Sequence, residues 1–167
     1  MSPTDRKILK LLQDDASLSI AEIAAKVHLS PAPCWRRIQK LKDEKVIRQQ
    51  VVLCDPKKLG VGVTVFVSIR TNQHNAAWFE RFSKGVAEIT EVVEFYRMSG
   101  EIDYLLRVVV PDIAAYDDFY KKLISRIEIS KVSSAFAMEQ IKYTTALPLD
   151  FALPQPDRKT SSRKARA

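Results

Sequence analysis

The residues best equipped for chemistry in this chain lie between Ser30 and Leu41, in "SPAPCWRRIQKL". Arg36, Arg37, Gln39 and Lys40 fall in one short run. Arg and Gln are the residue types that pair bidentately with guanine and adenine edges in the major groove, and Lys neutralises phosphate. Around and among them sit Cys34, Ile38 and Leu41, at the i, i+4, i+7 spacing of a helix that buries one stripe. With that stripe inward, the opposite face carries Ala32, Pro33, Arg36, Arg37, Gln39 and Lys40. Trp35 lies beside the stripe and reads as packing, with its indole N–H within reach of a phosphate. Ser30 starts the helix and Pro31 takes its first position, where a missing N–H costs nothing. A run of cations is also what a solvated helix face looks like. The cap, the short turn before it and the basic helix taken together favour DNA.

A second group is "MSGEIDYLL", Met98 to Leu106. Gly100 sits in a hairpin turn where a positive φ is expected. Asp103 follows in an otherwise apolar strand. It reads either as an outward, solvated carboxylate or as one placed at a sheet–sheet interface to receive an ammonium group. No catalytic pattern accompanies either group. The chain has no Gly-rich phosphate loop, no Gly-x-Ser-x-Gly elbow and no Ser-His-Asp set. Cys34 lies on the inward stripe without a partner His, so it reads as a small buried hydrophobe. His28 and His74 are the only histidines, and neither has ligands at metal spacing. No metal and no cofactor is expected, and no enzyme.

Three helices should hold the first group in place. "TDRKILKLLQDD" has Thr4 or Asp5 as a cap, with Ile8, Leu11 and Leu12 on one face. "SIAEIAAKV" opens with Ser19 and Glu22 at capping-box spacing. Only His28 and Leu29 separate it from the third helix, which suits the crossing of a helix-turn-helix. His28 can take the positive φ that such a turn requires, since His tolerates it better than most residues.

From about Lys45 the period changes. "VIRQQVVLCD" reads as a strand or two and "PKKLG" as a turn. "VGVTVFVSIR" alternates, with Val61, Val63, Val65, Val67 and Ile69 on one face. "HNAAWFERFSKGVA" is an amphipathic helix with Ala77, Trp78, Phe82 and Val86 inward. "ITEVVEFYRM" and "IDYLLRVVV" make a hairpin that ends at Pro111. "DIAAYDDFYKKLISRI" is a helix that turns Ile113, Tyr116, Phe119, Tyr120, Leu123 and Ile127 inward, and "KVSSAFAMEQIKY" is the last strand. The order β-α-β-β-α-β is the ferredoxin-like arrangement, one antiparallel sheet with two helices on one face. Phe66, Phe95, Leu106, Phe136 and Met138 cannot all point to that face. A second copy of the sheet is the natural cover, so at least a dimer is expected.

The fold class is therefore α+β: an N-terminal helix-turn-helix (winged-helix-like) domain over 1–47, a strand or linker over 48–60, and a ferredoxin-like sandwich over 61–149. A basic tail over 150–167 has no apolar periodicity and is expected to be disordered, aiding solubility or grazing phosphate. The net charge of +7 is uneven. Residues 56–153 balance, and the excess lies before and after them. No apolar run is long enough to span a membrane. "MSPTDRKILK" does not read as a secretory signal, and two cysteines make no disulfide framework. The reducing cytoplasm is the expected compartment.

"DRKILKLLQDDASLSIAEIAAKVHLSPAPCWRRIQKLKDEKVI" resembles the DNA-binding half of the Lrp/AsnC (feast/famine) transcription regulators, with "LSPAPCWRRIQKL" as its most specific part. "SGEIDYLLRVVVPDIAAYDDF" and "VSSAFAMEQIKYTTALPL" are similar to that family's effector-binding domain. The resemblance covers about 4–149. It implies a homodimer formed sheet to sheet, often assembling to tetramers or octamers, that binds double-stranded operator DNA through paired third helices. It also implies an amino acid or related small molecule as effector. Met98, Gly100, Asp103 and Tyr104 would line that pocket, with the facing last strand contributing near Phe136 and Met138. Two departures stand out: His28 where the family usually has Gly, and "RIEISKVSS" where many members carry a Leu-Pro-Gly-Val turn. Two other classes remain in view. One is a tetrapyrrole decarboxylase-like enzyme of similar architecture, which would need more histidines than two and no basic third helix. The other is an architectural DNA-binding protein without an effector.

Overall fold

The computed structural model describes residues 1–73, 75–126 and 129–151. The expectations for His74, Ile127 and residues 152–167 of the basic tail fall outside them. The chain divides into two compact units. Among the described residues, one comprises Met1–Val52 and 142–151, and the other is Leu53–Ile141. The stretch 142–149, expected to finish the sandwich domain, makes its contacts with the N-terminal helices.

The N-terminal unit contains α1 (Pro3–Asp14), α2 (Ile20–Lys26) and α3 (Pro31–Asp43). Ser19 and Glu22 close the expected box on α2: the Glu22 amide donates to Ser19 Oγ at 3.3 Å and the Ser19 amide to Glu22 Oε2 at 2.7 Å. α1 is capped by Ser2, not by Thr4 or Asp5. Pro3 holds the first helical position, which moves the start back, and Asp5 becomes the reciprocal acceptor of a second box at 3.0 Å. Ile8, Ile23, Cys34, Ile38 and Leu41 form the buried core. Burial pushes the Cys34 thiol pKa up, as befits a core residue rather than a nucleophile. Trp35, read as packing, is mostly exposed, because it sits one position off the stripe.

Among the described residues of this unit, His28 and Lys45 adopt the left-handed region. His28 has φ 56°, as the short turn requires, and Lys45, just past the end of α3, has φ 58°. The Lys45 amide donates to the Lys42 carbonyl at 3.0 Å, so it ends α3 where Gly is the usual choice. A β-carbon is strained at that φ. His28→Gly and Lys45→Gly are each expected to stabilise the unit by about 0.5–1 kcal/mol, net of the entropy Gly adds to the unfolded chain. Thermal unfolding checks this, and a lowered midpoint in both variants would show that the side chains contribute more than the strain they cause.

In the second unit the order is β1 (Val63–Arg70), α4 (Ala76–Ala87), β2 (Val92–Arg97), β3 (Tyr104–Val110), α5 (Ile113–Arg126) and β4 (Lys131–Phe136). The antiparallel sheet runs β2-β3-β1-β4, as the βαββαβ reading requires. Val65, Val67, Ile69, Leu106, Val108 and Val110 are fully buried beneath Phe82, Val86, Phe119 and Leu123 of the helices. Asn75 caps α4, accepting the Trp78 amide at 2.8 Å. Ala77 and Ile113, expected inward, are exposed. Each lies one position before the side chain that begins its helix's buried stripe or at the helix start, outside the face that meets the sheet.

Face assignment on the edge strands departs from simple alternation. Val92 faces Val108 but Glu94 faces Arg107, so Val93 is an extra residue, a β-bulge. The bulge lets Val92 and Phe95, an odd number of positions apart, both pack on the helix-side core. Phe136 pairs with Val65 and its ring meets Tyr116 edge-on at 5.1 Å. Phe95, Leu106 and Phe136 thus all lie on the helix side. Phe66 alone of the expected set occupies the outer face, with Leu105 and Val109 of β3. Met138 lies beyond β4, almost wholly exposed. The strand expected to run to Tyr143 ends at Phe136, and residues 47–53 contain no strand.

Candidate functional site

Two places answer to the two groups of residues. On α3 the buried stripe leaves Ala32, Trp35, Arg36 and Lys40 exposed, with Pro33 and Gln39 half-buried. Ser30 is the N-cap residue but makes no side-chain cap bond, so its hydroxyl stands at the start of the helix with Pro31 in the first turn. Lys40 reaches Glu44 one turn on, at 3.8 Å. Arg36 makes no ion pair or hydrogen bond among the described residues.

Arg37 differs from the expectation. Its Nη1 donates to Asp5 Oδ1 at 2.8 Å and to Ser2 Oγ at 3.3 Å. The guanidinium therefore fastens α3 to the N-cap of α1. Burial works against the charged form of Asp5, but the bonds from Ser2 and Arg37 outweigh it and hold the carboxyl below its ordinary pKa. Asp5 was legible only as a cap, because nothing local signals a partner 32 residues on. The side chains that α3 leaves open to solvent on this side are Trp35, Arg36 and Lys40, with Gln39 half-buried beside them.

The second group lies where β1 ends. Asp103 donates its amide to the Ile69 carbonyl at 2.9 Å and accepts the Met98 amide at 2.8 Å on its own carbonyl. Its Oδ2 accepts the Thr71 amide at 2.8 Å. Thr71 is itself buried, and its Oγ1 accepts the Gln73 amide at 3.0 Å. Asp103 is therefore neither a freely solvated carboxylate nor an unengaged one. One oxygen ties the hairpin to the chain leaving β1. Gly100 has φ 112°, as its turn predicts. Arg70 Nε donates to the Glu101 carbonyl, a contact across the same loop that sequence reasoning did not anticipate. Met98 is partly exposed, whereas Tyr104 is buried. The Tyr104 ring packs at 4.7 Å from Phe82 and 5.7 Å from Phe95. Its ring belongs to the core beneath the loop.

Phe136 and Met138 are elsewhere. Tyr104 pairs with Ile69 and Phe136 with Val65, so they sit four residues apart along β1, roughly 13 Å. One chain does not bring the two sets together. On the outer face, midway along the sheet, Arg107 Nη2 meets Glu94 Oε1 at 2.6 Å and Tyr96 donates to the same carboxylate at 2.9 Å. The Arg107 bond foremost holds the Glu94 pKa down. Phe66 lies directly across from Arg107, and Leu105 and Val109 lie on either side of it along β3, so the ion pair sits among apolar side chains on this face.

These two places match two family models. Residues 1–48 match a winged helix-turn-helix DNA-binding model and residues 64–147 the Lrp/AsnC ligand binding domain. The chain is 49% identical to the DNA-binding transcriptional activator DecR of Escherichia coli K12, over 87% of this chain and 97% of that protein. The crystal structure of an AsnC family transcriptional regulator from Agrobacterium tumefaciens is 65% identical and superposes with a TM-score of 0.90, over 92% of this chain and all of that one. A transcriptional regulator of Neisseria meningitidis, solved as a complex with L-Met, is 33% identical with a TM-score of 0.87, over 92% and 99% of the two chains.

Proposed function

The chain belongs to the Lrp/AsnC family of transcription regulators, and from that premise we propose how its parts work together. Two copies pair through the outer faces of their sheets and set two α3 helices on successive half-sites of operator DNA. Arg36 and Gln39 contact base edges, Ser30, Trp35 and Lys40 contact the backbone, and Ala32 and Pro33 allow close approach. An amino acid or related small molecule binds where Met98, Gly100 and Asp103 of one chain meet Phe136 and Met138 of another, and changes assembly or DNA affinity. The family's activity is regulation and not catalysis, which removes the decarboxylase-like alternative. Among the described residues no helix is long and apolar enough to cross a membrane, and the cytoplasm is the compartment that gives such a protein its DNA.

The observation that carries the DNA half is the exposed Arg36 beside Lys40 on a helix whose opposite stripe is fully buried. The effector half rests on the Asp103 loop together with the L-Met complex of the Neisseria relative. The pocket needs more than one chain, because Asp103 and Phe136 stand apart within one. Tyr104 then serves by supporting the loop from below, its ring being buried. Tetramers or octamers follow if pockets form between dimers.

A thermal-shift screen of the twenty amino acids on the full-length protein tests the effector. A ligand at a hundred times its Kd should raise the midpoint by about 5–10 °C. Duplex binding measured against salt should weaken steeply, as phosphate contacts require. A flat response to every amino acid would sink the effector reading. Salt-independent or absent duplex binding would sink the DNA assignment, and a single chain by sedimentation at micromolar concentration would sink the dimer.

A further inference from the structure

Gln13 lies one residue from the C-terminal end of α1, and its carboxamide grips the backbone of Leu147. Gln13 Oε1 accepts the Leu147 amide at 2.7 Å, and Gln13 Nε2 donates to the Leu147 carbonyl at 3.2 Å. The residues are 134 positions apart. One side chain thus satisfies both polar groups of a single peptide residue, as a neighbouring strand would. Two positions on, Leu149 packs against the core of Ile8, Ile23 and Leu41, and a short 3₁₀ turn covers Leu149–Phe151. The Ala146 amide donates to Thr144 Oγ1 at 3.1 Å, which bends the stretch just before the grip.

The consequence lies in the connectivity. The chain enters the sheet unit at Leu53 and leaves it at Ile141, and from Lys142 it returns to the helical unit. We propose that residues 142–149 are a strap that joins the DNA-binding unit to the rest of the chain a second time, and that Gln13 is its latch, with Leu149 as its anchor. A unit held by one connection explores a large volume, and a second tether removes part of that freedom before DNA is met. Two α3 helices that must reach successive half-sites together gain from this restriction, whereas one helix on one half-site does not. The role rests on the paired-helix reading above.

The test uses Gln13→Ala and Leu149→Ala in the full-length protein. The probes are a duplex selected by the wild-type protein from a random pool and the same duplex with one half scrambled. Hydrogen exchange at the Leu147 amide should quicken about five- to tenfold in Gln13→Ala. Affinity for the intact duplex should fall about three- to tenfold in both variants, with affinity for the scrambled one unchanged. Unaltered Leu147 exchange removes the latch. Equal losses on both duplexes reduce the strap to a local prop of the helical unit and overturn the proposal. If the wild-type protein itself binds both duplexes alike, the paired-helix reading fails and takes the positioning role with it, while the exchange result still decides whether the latch forms.

Discussion

Arg36→Ala is expected to weaken operator binding by about 1–3 kcal/mol, roughly ten- to a hundredfold, without moving the unfolding temperature. Arg37→Ala is expected to do the reverse. The two arginines are adjacent, and composition alone treats them alike. Their positions separate them. Arg36 projects from the exposed face and makes no ion pair or hydrogen bond among the described residues, so its removal should cost the fold little and the interface a bidentate donor. Arg37 is spent on Asp5 and Ser2. Its removal leaves Asp5, which is mostly shielded from solvent, without its cation. The pair is half-exposed on the Arg side, so about 1 kcal/mol of stability is at stake. Duplex titration and thermal unfolding on both variants check the division.

The acid dependence gives the Arg37 half a second readout. The folded pKa of Asp5 lies below its ordinary value. The proton is therefore bound more tightly in the unfolded chain, and stability rises with pH through the interval between the two values. The contribution is complete above the unfolded pKa of about 3.9 and is lost as pH falls through the lower folded value. Wild-type protein and Arg37→Ala should differ in stability at pH 6, and the difference should shrink progressively as the pH falls below about 4. A difference that persists undiminished in acid would mean that Arg37 acts through packing and not through Asp5.

The same contrast shows what a sequence can and cannot disclose. Elements announced by neighbours a few positions apart were legible: the Ser19–Glu22 box, the Cys34–Ile38–Leu41 stripe, the positive φ of His28 and Gly100, and the βαββαβ order. Features that depend on distant partners were not. Asp5 and Arg37 carry no local sign of each other, nor do Gln13 and Leu147. Alternation assigned Val65, Val67 and Ile69 of β1 correctly, but the bulge at Val93 shifts the parity of β2, and no spacing rule foresees it. Residues 47–53 and 137–143 have strand-like composition, yet a strand exists only where another pairs with it. Ala137 makes one last bond to Thr64 before β1 has no further edge to offer. At the effector loop the sequence marked Asp103 as unusual without showing that Thr71, an unremarkable residue, supplies its partner.

Asp103 is where structure and function have to be separated by chemistry. Asp103→Ala removes the acceptor of the Thr71 amide in a buried setting, and an orphaned buried donor costs about 1–3 kcal/mol. Loss of effector response in that variant alone would therefore prove little. Asp103→Asn keeps a side-chain oxygen for the Thr71 amide and removes the negative charge. The fold should survive with a loss of under about 1 kcal/mol. Effector affinity should fall by about 1.5–3 kcal/mol, roughly ten- to a hundredfold, if the second carboxylate oxygen holds an ammonium group. The measurement is the ligand-induced melting shift of both variants, using whichever amino acid responds in the wild-type screen. A full shift in Asp103→Asn would remove the charge from the recognition of ligand and leave Asp103 as the tie between the hairpin and the end of β1. A lost shift in Asp103→Asn with an unchanged apo midpoint assigns it both duties: one oxygen for the chain and one for the effector.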